Sequence, residues 1–202
     1  MKRILIAPLD WGLGHATRCI PIIRELLKRD CAVFLAGDGD SLALLQLEFP
    51  HLRAFALPGY RPVYPSGQNM IWKMVTQLPK FMTVIKREHQ CIKSLIHDHK
   101  IDLMISDNRY GCWSPSIPAV IITHQLNILM PSGWEWFSRV VGLINHRLIK
   151  RFTHCWIPDF PDEENNLSGA LSSFNANKLK HVRHIGPLSR FNGNKGDARL
   201  YD

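Results

Sequence analysis

The chain has 202 residues, 25 of them Lys or Arg and 17 Asp or Glu, for a formal net charge of +8; 46% are hydrophobic and 21% charged. That balance excludes disordered and fibrous classes, and a chain of this size buries roughly 70% of its unfolded surface, enough for one sizeable core. No apolar run approaches the roughly 20 residues a bilayer span needs, and five scattered cysteines without a CxxC pair point to a reducing, cytoplasmic compartment and away from a zinc site.

Lys2 to Pro8 (KRILIAP) reads as a buried parallel strand. Its apolar run is too short for a secretory leader. The loop LDWGLGH leads to an amphipathic helix from about Ala16 to Arg29, with Ile20, Ile23, Leu26 and Leu27 on one face. A second strand (Ala32 to Ala36), a short helix (Ser41 to Phe49) and a third strand (Arg53 to Leu57) follow, then a Pro/Gly/Tyr-rich loop from Pro58 to Gly67. The long stretch from Asn69 to Asp98 has helical apolar spacing. Pro79 interrupts it, which predicts a kink or two helices in series.

Leu103 to Ser106 and Ala119 to Thr123 read as strands, Trp134 to Phe152 as an amphipathic helix, and Cys155 to Pro158 and Val182 to Ile185 as the last strands. Residues 1–186 are expected to form one α/β domain, a Rossmann-like doubly wound parallel sheet. Residues 187–202 are expected to be a linker or loose tail.

In such a sheet ligands bind beyond the carboxyl ends of the strands. Three polar clusters are expected at that edge: Gly12-Leu13-Gly14-His15, Asp107-Asn108-Arg109-Tyr110-Gly111 and His124-Gln125-Leu126-Asn127. The glycines allow a tight turn and close approach to a ligand, and a helix N-terminus suits a phosphate. The helix dipole there disfavours an imidazolium, so His15 is a candidate general base. Asp107 is placed to orient a hydroxyl and Arg109 to bind phosphate. His124, Gln125 and Asn127 suit sugar hydroxyls. The plainer alternatives are a turn-forming GxG, an Asx-type turn leaving a strand, and a histidine satisfied inside the fold.

His97 and His99 lack a third ligand of suitable spacing, so no metal and no cofactor is expected. Phe160 to Asn166 reads as an exposed acidic loop. Arg139, Arg147, Lys150 and Arg151 share a helix with Trp134, Trp136 and Phe137. That helix reads either as touching the inner membrane face peripherally or as covering the sheet with its charges in water. Dispersed tryptophans and the lack of an RNP-like motif argue against nucleic acid.

The order GLGHATR, ISDNRYG, ITHQLN, WIPDF and HIGPLSRF resembles a bacterial family of nucleotide-sugar-dependent glycosyltransferases. These are relatives of the undecaprenyl-diphospho-muramoylpentapeptide N-acetylglucosaminyltransferase, with the two-domain GT-B fold, and the resemblance runs from Ile4 to about Phe191. It implies an acceptor-binding domain only. The nucleotide-sugar donor would be held by a second Rossmann-like domain that a C-terminal segment or a partner subunit supplies, and the acceptor would be sugar- or lipid-linked.

Gly14-His15 match the end of that relative's Gly-Gly-His loop. His124 and Asn127 match its His-Glu-Gln-Asn stretch, whose carboxylate is absent here. The resemblance thus implies His15 as base with Asp107 second, Gly12 and Gly14 facing the donor diphosphate, and Asn108, Arg109, Tyr110, His124, Gln125 and Asn127 holding the acceptor. Isolated, the chain is expected to be inactive. Two other readings stay open. Gly12-x-Gly14-x-x-Thr17 with Asp38 imitates a dinucleotide-binding oxidoreductase, and the chain also suits a non-catalytic binding module.

Overall fold

The computed structural model describes residues 1–61, 76–128, 135–162, 165–172 and 181–189. Seven parallel strands form one sheet in the order β3-β2-β1-β4-β5-β6-β7. They are β1 Arg3–Pro8, β2 Ala32–Gly37, β3 Arg53–Ala56, β4 Leu103–Asp107, β5 Ala119–Ile122, β6 His154–Ile157 and β7 Val182–His184. The helices are α1 Gly14–Lys28, α2 Gly39–Glu48, α3 Leu78–His99 and α4 Glu135–Ile149. The doubly wound α/β expectation is met.

Strand alternation assigns each apolar residue to a face. Ile4 and Ile6 of β1 join Ala16, Cys19, Ile20 and Ile23 of α1, with Leu45 of α2. Leu5 and Ala7 join Ile92 of α3 and Ile149 of α4 on the other side. With apolar neighbours on both faces, β1 has no polar side to show, hence its continuous apolar run. In α1 the buried residues 16, 19, 20 and 23 recur at helical spacing and form its core stripe.

The sheet grows from β1 toward β3, then returns to place β4 on the opposite side of β1. The switch point therefore lies between β1 and β4, where a crevice opens beyond their carboxyl ends. Pairing sets the residues there in register: Pro8 lies beside Asp107, and Asp107 beside Ile122.

One boundary differs from expectation. Helix α1 begins at Gly14 rather than Ala16, which puts His15 in its first turn. The long helix is described from Leu78, with Pro79 in its opening turn. No intrahelical donor is needed there, so proline is accommodated at the start of this helix; whether a first helix precedes it in series lies outside the described residues. The stretch expected to begin at Asn69 lies partly outside the described residues, as do residues 190–202 of the tail. The WIPDF segment owes its turn to Asp159, which is buried. Its carboxylate accepts from the backbone N–H groups of Phe160, Leu167 and Ser168 at 2.8 to 2.9 Å. Burial alone would raise its pKa, but the Ser168, Leu167 and Phe160 donors prevail and lower it to about 2.

All five cysteines are free. Among the described residues no helix is long and apolar enough to cross a membrane.

Candidate active site

Four polar side chains meet at the switch point. Asp107 ends β4 and, by strand alternation, faces α1; it is buried. Arg18, one turn along α1 from His15, forks onto it: Nε donates to Oδ2 at 3.0 Å and Nη2 to Oδ1 at 2.9 Å. His15 Nδ1 lies 2.8 Å from the same Oδ1. From beyond β5, His124 turns its Nδ1 toward Arg18 Nη1, which donates to it at 3.3 Å. Three of the four come from the sequence clusters expected at one rim, and the structure brings them together.

This array combines a fixed negative charge, a fixed positive charge and two imidazoles. Burial, then the Arg18 cation, holds the His124 pKa below the usual histidine range. The unfolded chain therefore takes up that proton at a higher pH than the folded one. The contribution is present above the ordinary imidazole range and is lost as pH falls toward the depressed value. The expected result is a stability-versus-pH slope below neutrality that is shallower in His124→Gln than in the wild type. Urea titrations across pH 5 to 7 check it, and parallel slopes would contradict it.

The glycine loop leaves space in front of the helix. A Cβ at Gly12 or Gly14 would meet nothing within 4 Å, and Gly12 has a φ of +88°, which favours glycine. Ser41 Oγ fixes the approach to the loop by donating to the Leu9 carbonyl at 3.1 Å.

The DNRYG segment does not act as one cluster. Asp107 faces α1, but Arg109 is fully buried on the α3 side. Its Nε donates to Glu88 Oε1 at 2.5 Å, Nη1 to Asp38 Oδ1 at 2.6 Å, and Nη2 to the Pro58 carbonyl at 2.7 Å. The guanidinium expected to bind acceptor phosphate is thus committed to a structural network. Tyr110 is part-buried and packs against both core clusters of that side. Burial raises its phenol, which bonds the Thr123 side chain. Asn108 takes the left-handed conformation with φ +57°. It is 4% exposed, and its Oδ1 has no hydrogen-bond partner among the described residues.

Gly111 completes the turn under tight constraint. A Cβ there would lie 2.5 Å from Glu88 Oε2 and 2.6 Å from the Ile85 carbonyl. Gly111→Ala is expected to destabilise by about 1–3 kcal/mol through this overpacking; chemical denaturation measures it, and an unchanged midpoint would contradict the packing described.

Within HQLN, Asn127 donates through Nδ2 to the Ala170 carbonyl at 2.9 Å, and Leu126 is fully buried. Asn145 Nδ2 holds the Gln125 carbonyl at 2.8 Å. Gln125 itself is part-buried, its N–H donating to Thr123 Oγ1 at 3.0 Å. Of this segment, His124 reaches the array.

Arg18 and Glu88 were not singled out from sequence. Arg18 stands three residues after His15, so a helix places both on one face. Glu88 falls between Ile85 and Ile92 on the apolar stripe of α3, a position that marks an acid in need of a buried partner. Asp38, the candidate ribose acid, is bound to Arg109. Among the described residues no group of three His, Cys, Asp or Glu is placed to hold a metal ion.

No protein-family model matches the chain, and no curated protein matches it. Solved structures do. UGT2 of Phytolacca americana, in complex with UDP-2-fluoro-glucose and pterostilbene, is similar over 93% of this chain and 53% of its own, with 15% identity and a TM-score of 0.60. MurG of Acinetobacter baumannii is similar over 96% of this chain and 47% of its own, with 11% identity and a TM-score of 0.54. The kitacinnamycin glycosyltransferase gives 96%, 54%, 17% identity and a TM-score of 0.57. The chain spans about half the length of each. With its all-parallel sheet and flanking helices, the chain has the Rossmann-like α/β fold found as one half of the GT-B glycosyltransferases.

Proposed function

We propose that the chain is the acceptor-side half of a nucleotide-sugar-dependent glycosyltransferase, with His15 as general base. The observation that carries this reading is the 2.8 Å approach of His15 Nδ1 to Asp107 Oδ1 at the switch point. The Nδ1–H of His15 donates a hydrogen bond to the Asp107 carboxylate, which leaves Nε2 bare. Nε2 takes the proton of an acceptor hydroxyl as its oxygen attacks the anomeric carbon of the donor, and the nucleoside diphosphate leaves. The carboxylate stabilises the imidazolium that results.

Gly12 and Gly14, unobstructed in front of the helix, suit the approach of the donor diphosphate from the other half. The orphan Oδ1 of Asn108 and the neutral ring of His124 suit hydroxyls of the acceptor. The similar UGT2 structure, with a UDP-sugar analogue and a phenolic compound bound, supports a donor and acceptor of these general classes. The exposed strip of Val140, Leu143 and Ile144 on α4, beside Arg139 and Arg147, supports peripheral contact with an anionic membrane.

Catalysis of this kind needs both walls of the cleft. Nucleoside diphosphate release from UDP-sugars, with phenolic and sugar acceptors, is expected from the chain combined with a GT-B donor-binding half and absent from the chain alone. Turnover by the isolated chain would overturn the division of labour, and silence in every pairing would overturn the transferase reading. Calorimetry with NAD and NADP addresses the oxidoreductase alternative. Micromolar binding would favour it, although Asp38 is already engaged by Arg109.

A further inference from the structure

We propose that Arg18 is a positioning residue that holds His15 and His124 in opposite tautomers, so that the groove offers one bare imidazole nitrogen and one imidazole N–H. The catalytic consequence rests on the reading of His15 as base; the geometry does not.

A guanidinium only donates, and it stays charged at any relevant pH. Arg18 Nη1 lies 3.3 Å from His124 Nδ1, so that nitrogen must be the acceptor. A neutral imidazole has one proton, and in His124 it therefore sits on Nε2. The ring stays neutral because it is part-buried and faces Arg18, with His15 adding to the effect; Asp107 and Asp159 oppose it less strongly.

His15 is the reverse case. Its Nδ1 lies 2.8 Å from Asp107 Oδ1 and 2.7 Å from Arg18 Nη2. A single Nδ1 cannot donate to the first and accept from the second at once. Were Nδ1 bare, two lone-pair atoms would face each other at the shorter side of hydrogen-bond range, one of them on a carboxylate. Were it protonated, a charge-assisted bond forms. Arg18 Nη2 then meets that N–H as a second donor at 2.7 Å, and both protons turn to the acceptor they share, Asp107 Oδ1, which Nη2 already bonds at 2.9 Å while Nε holds Oδ2. The proton belongs on Nδ1 and the bare nitrogen is Nε2. Arg18 enforces this by orienting the carboxylate through its fork and capping the other ring.

The ligand class that complements an acceptor nitrogen beside a donor N–H is a hydroxylated one, because a hydroxyl both gives and takes a hydrogen bond. A chain with both rings in the same tautomer lacks that complementarity.

The test is two-bond ¹⁵N–¹H correlation spectroscopy on the full 202-residue chain with ¹⁵N-labelled histidine at pH 7.5, the two rings assigned through His15→Gln and His124→Gln. The expected pattern is a protonated Nδ1 in His15 and a protonated Nε2 in His124. In Arg18→Met the His124 signals should move toward a mixture of tautomers and its titration midpoint should rise. Arg18→Lys, which keeps the charge and loses the fork, should loosen the His15 pattern. A protonated Nδ1 in wild-type His124, a bare Nδ1 in wild-type His15, or tautomers unmoved in a folded Arg18→Met overturns the proposal; the wild-type spectrum decides even if the variant fails to fold. These signals need no turnover. A failed transferase assay with the expected tautomers would count against the enzymatic reading only.

Discussion

Glu88→Ala is expected to lower stability by about 3–5 kcal/mol, the usual loss when a buried ion pair keeps one charge and loses the other. Glu88 and Arg109 are both fully buried. The Glu88 carboxylate accepts from Arg109 Nε at 2.5 Å, from Tyr60 Oη at 2.8 Å and from the Gly111 N–H at 2.7 Å. Removing it orphans all three donors. Asp38 and the Pro58 carbonyl retain part of the guanidinium, which keeps the loss within that range. Against a domain stability of about 5–15 kcal/mol, this is a large share of the total. Urea denaturation measures it. A loss below about 1 kcal/mol would contradict a buried, fully bonded network. The same network ties β1, the loop after β3, α3 and the turn after β4 together under the rim, so its loss should also loosen the site above.

The second large effect is on activity. In the two-half assay, His15→Ala is expected to reduce transfer by about 10²–10⁴-fold, the range for a positioned general base. Stability should fall less than in Glu88→Ala, because Arg18 keeps its fork on the buried Asp107 carboxylate. Asp107→Asn should reduce transfer too, since an amide is a poorer partner for an imidazolium, and it should also weaken the fork with Arg18. Measuring kcat and melting temperature on the same preparations separates the two causes. Equal rates for His15→Ala and wild type would remove His15 from the chemistry.

The architecture was legible because the strands are buried on both faces and the helices on one, so apolar run and apolar stripe announce each element. The rim was legible because strand order β1, β4, β5 follows from a doubly wound sheet, whose loops must converge. What could not be read was the split within DNRYG. Alternation sends Asp107 and Ser106 to opposite faces, but whether Arg109 follows one or the other depends on the left-handed turn at Asn108. Its fate depends on Glu88, a residue of distant sequence. Pro79 left two forms open for a simpler reason: proline can kink a helix or open the second of two in series, and sequence spacing is the same for both.

The central claim is that His15 removes a proton from the acceptor. The most direct measurement compares wild type with His15→Ala over a series of acceptors whose hydroxyl or thiol becomes steadily more acidic. A base matters most when the nucleophile holds its proton tightly. The account predicts a wide gap for aliphatic alcohols that closes for thiols and acidic phenols already ionised in solution. A gap of constant size across the whole series would contradict it, because a ring that only shapes the groove has no reason to sense acceptor acidity.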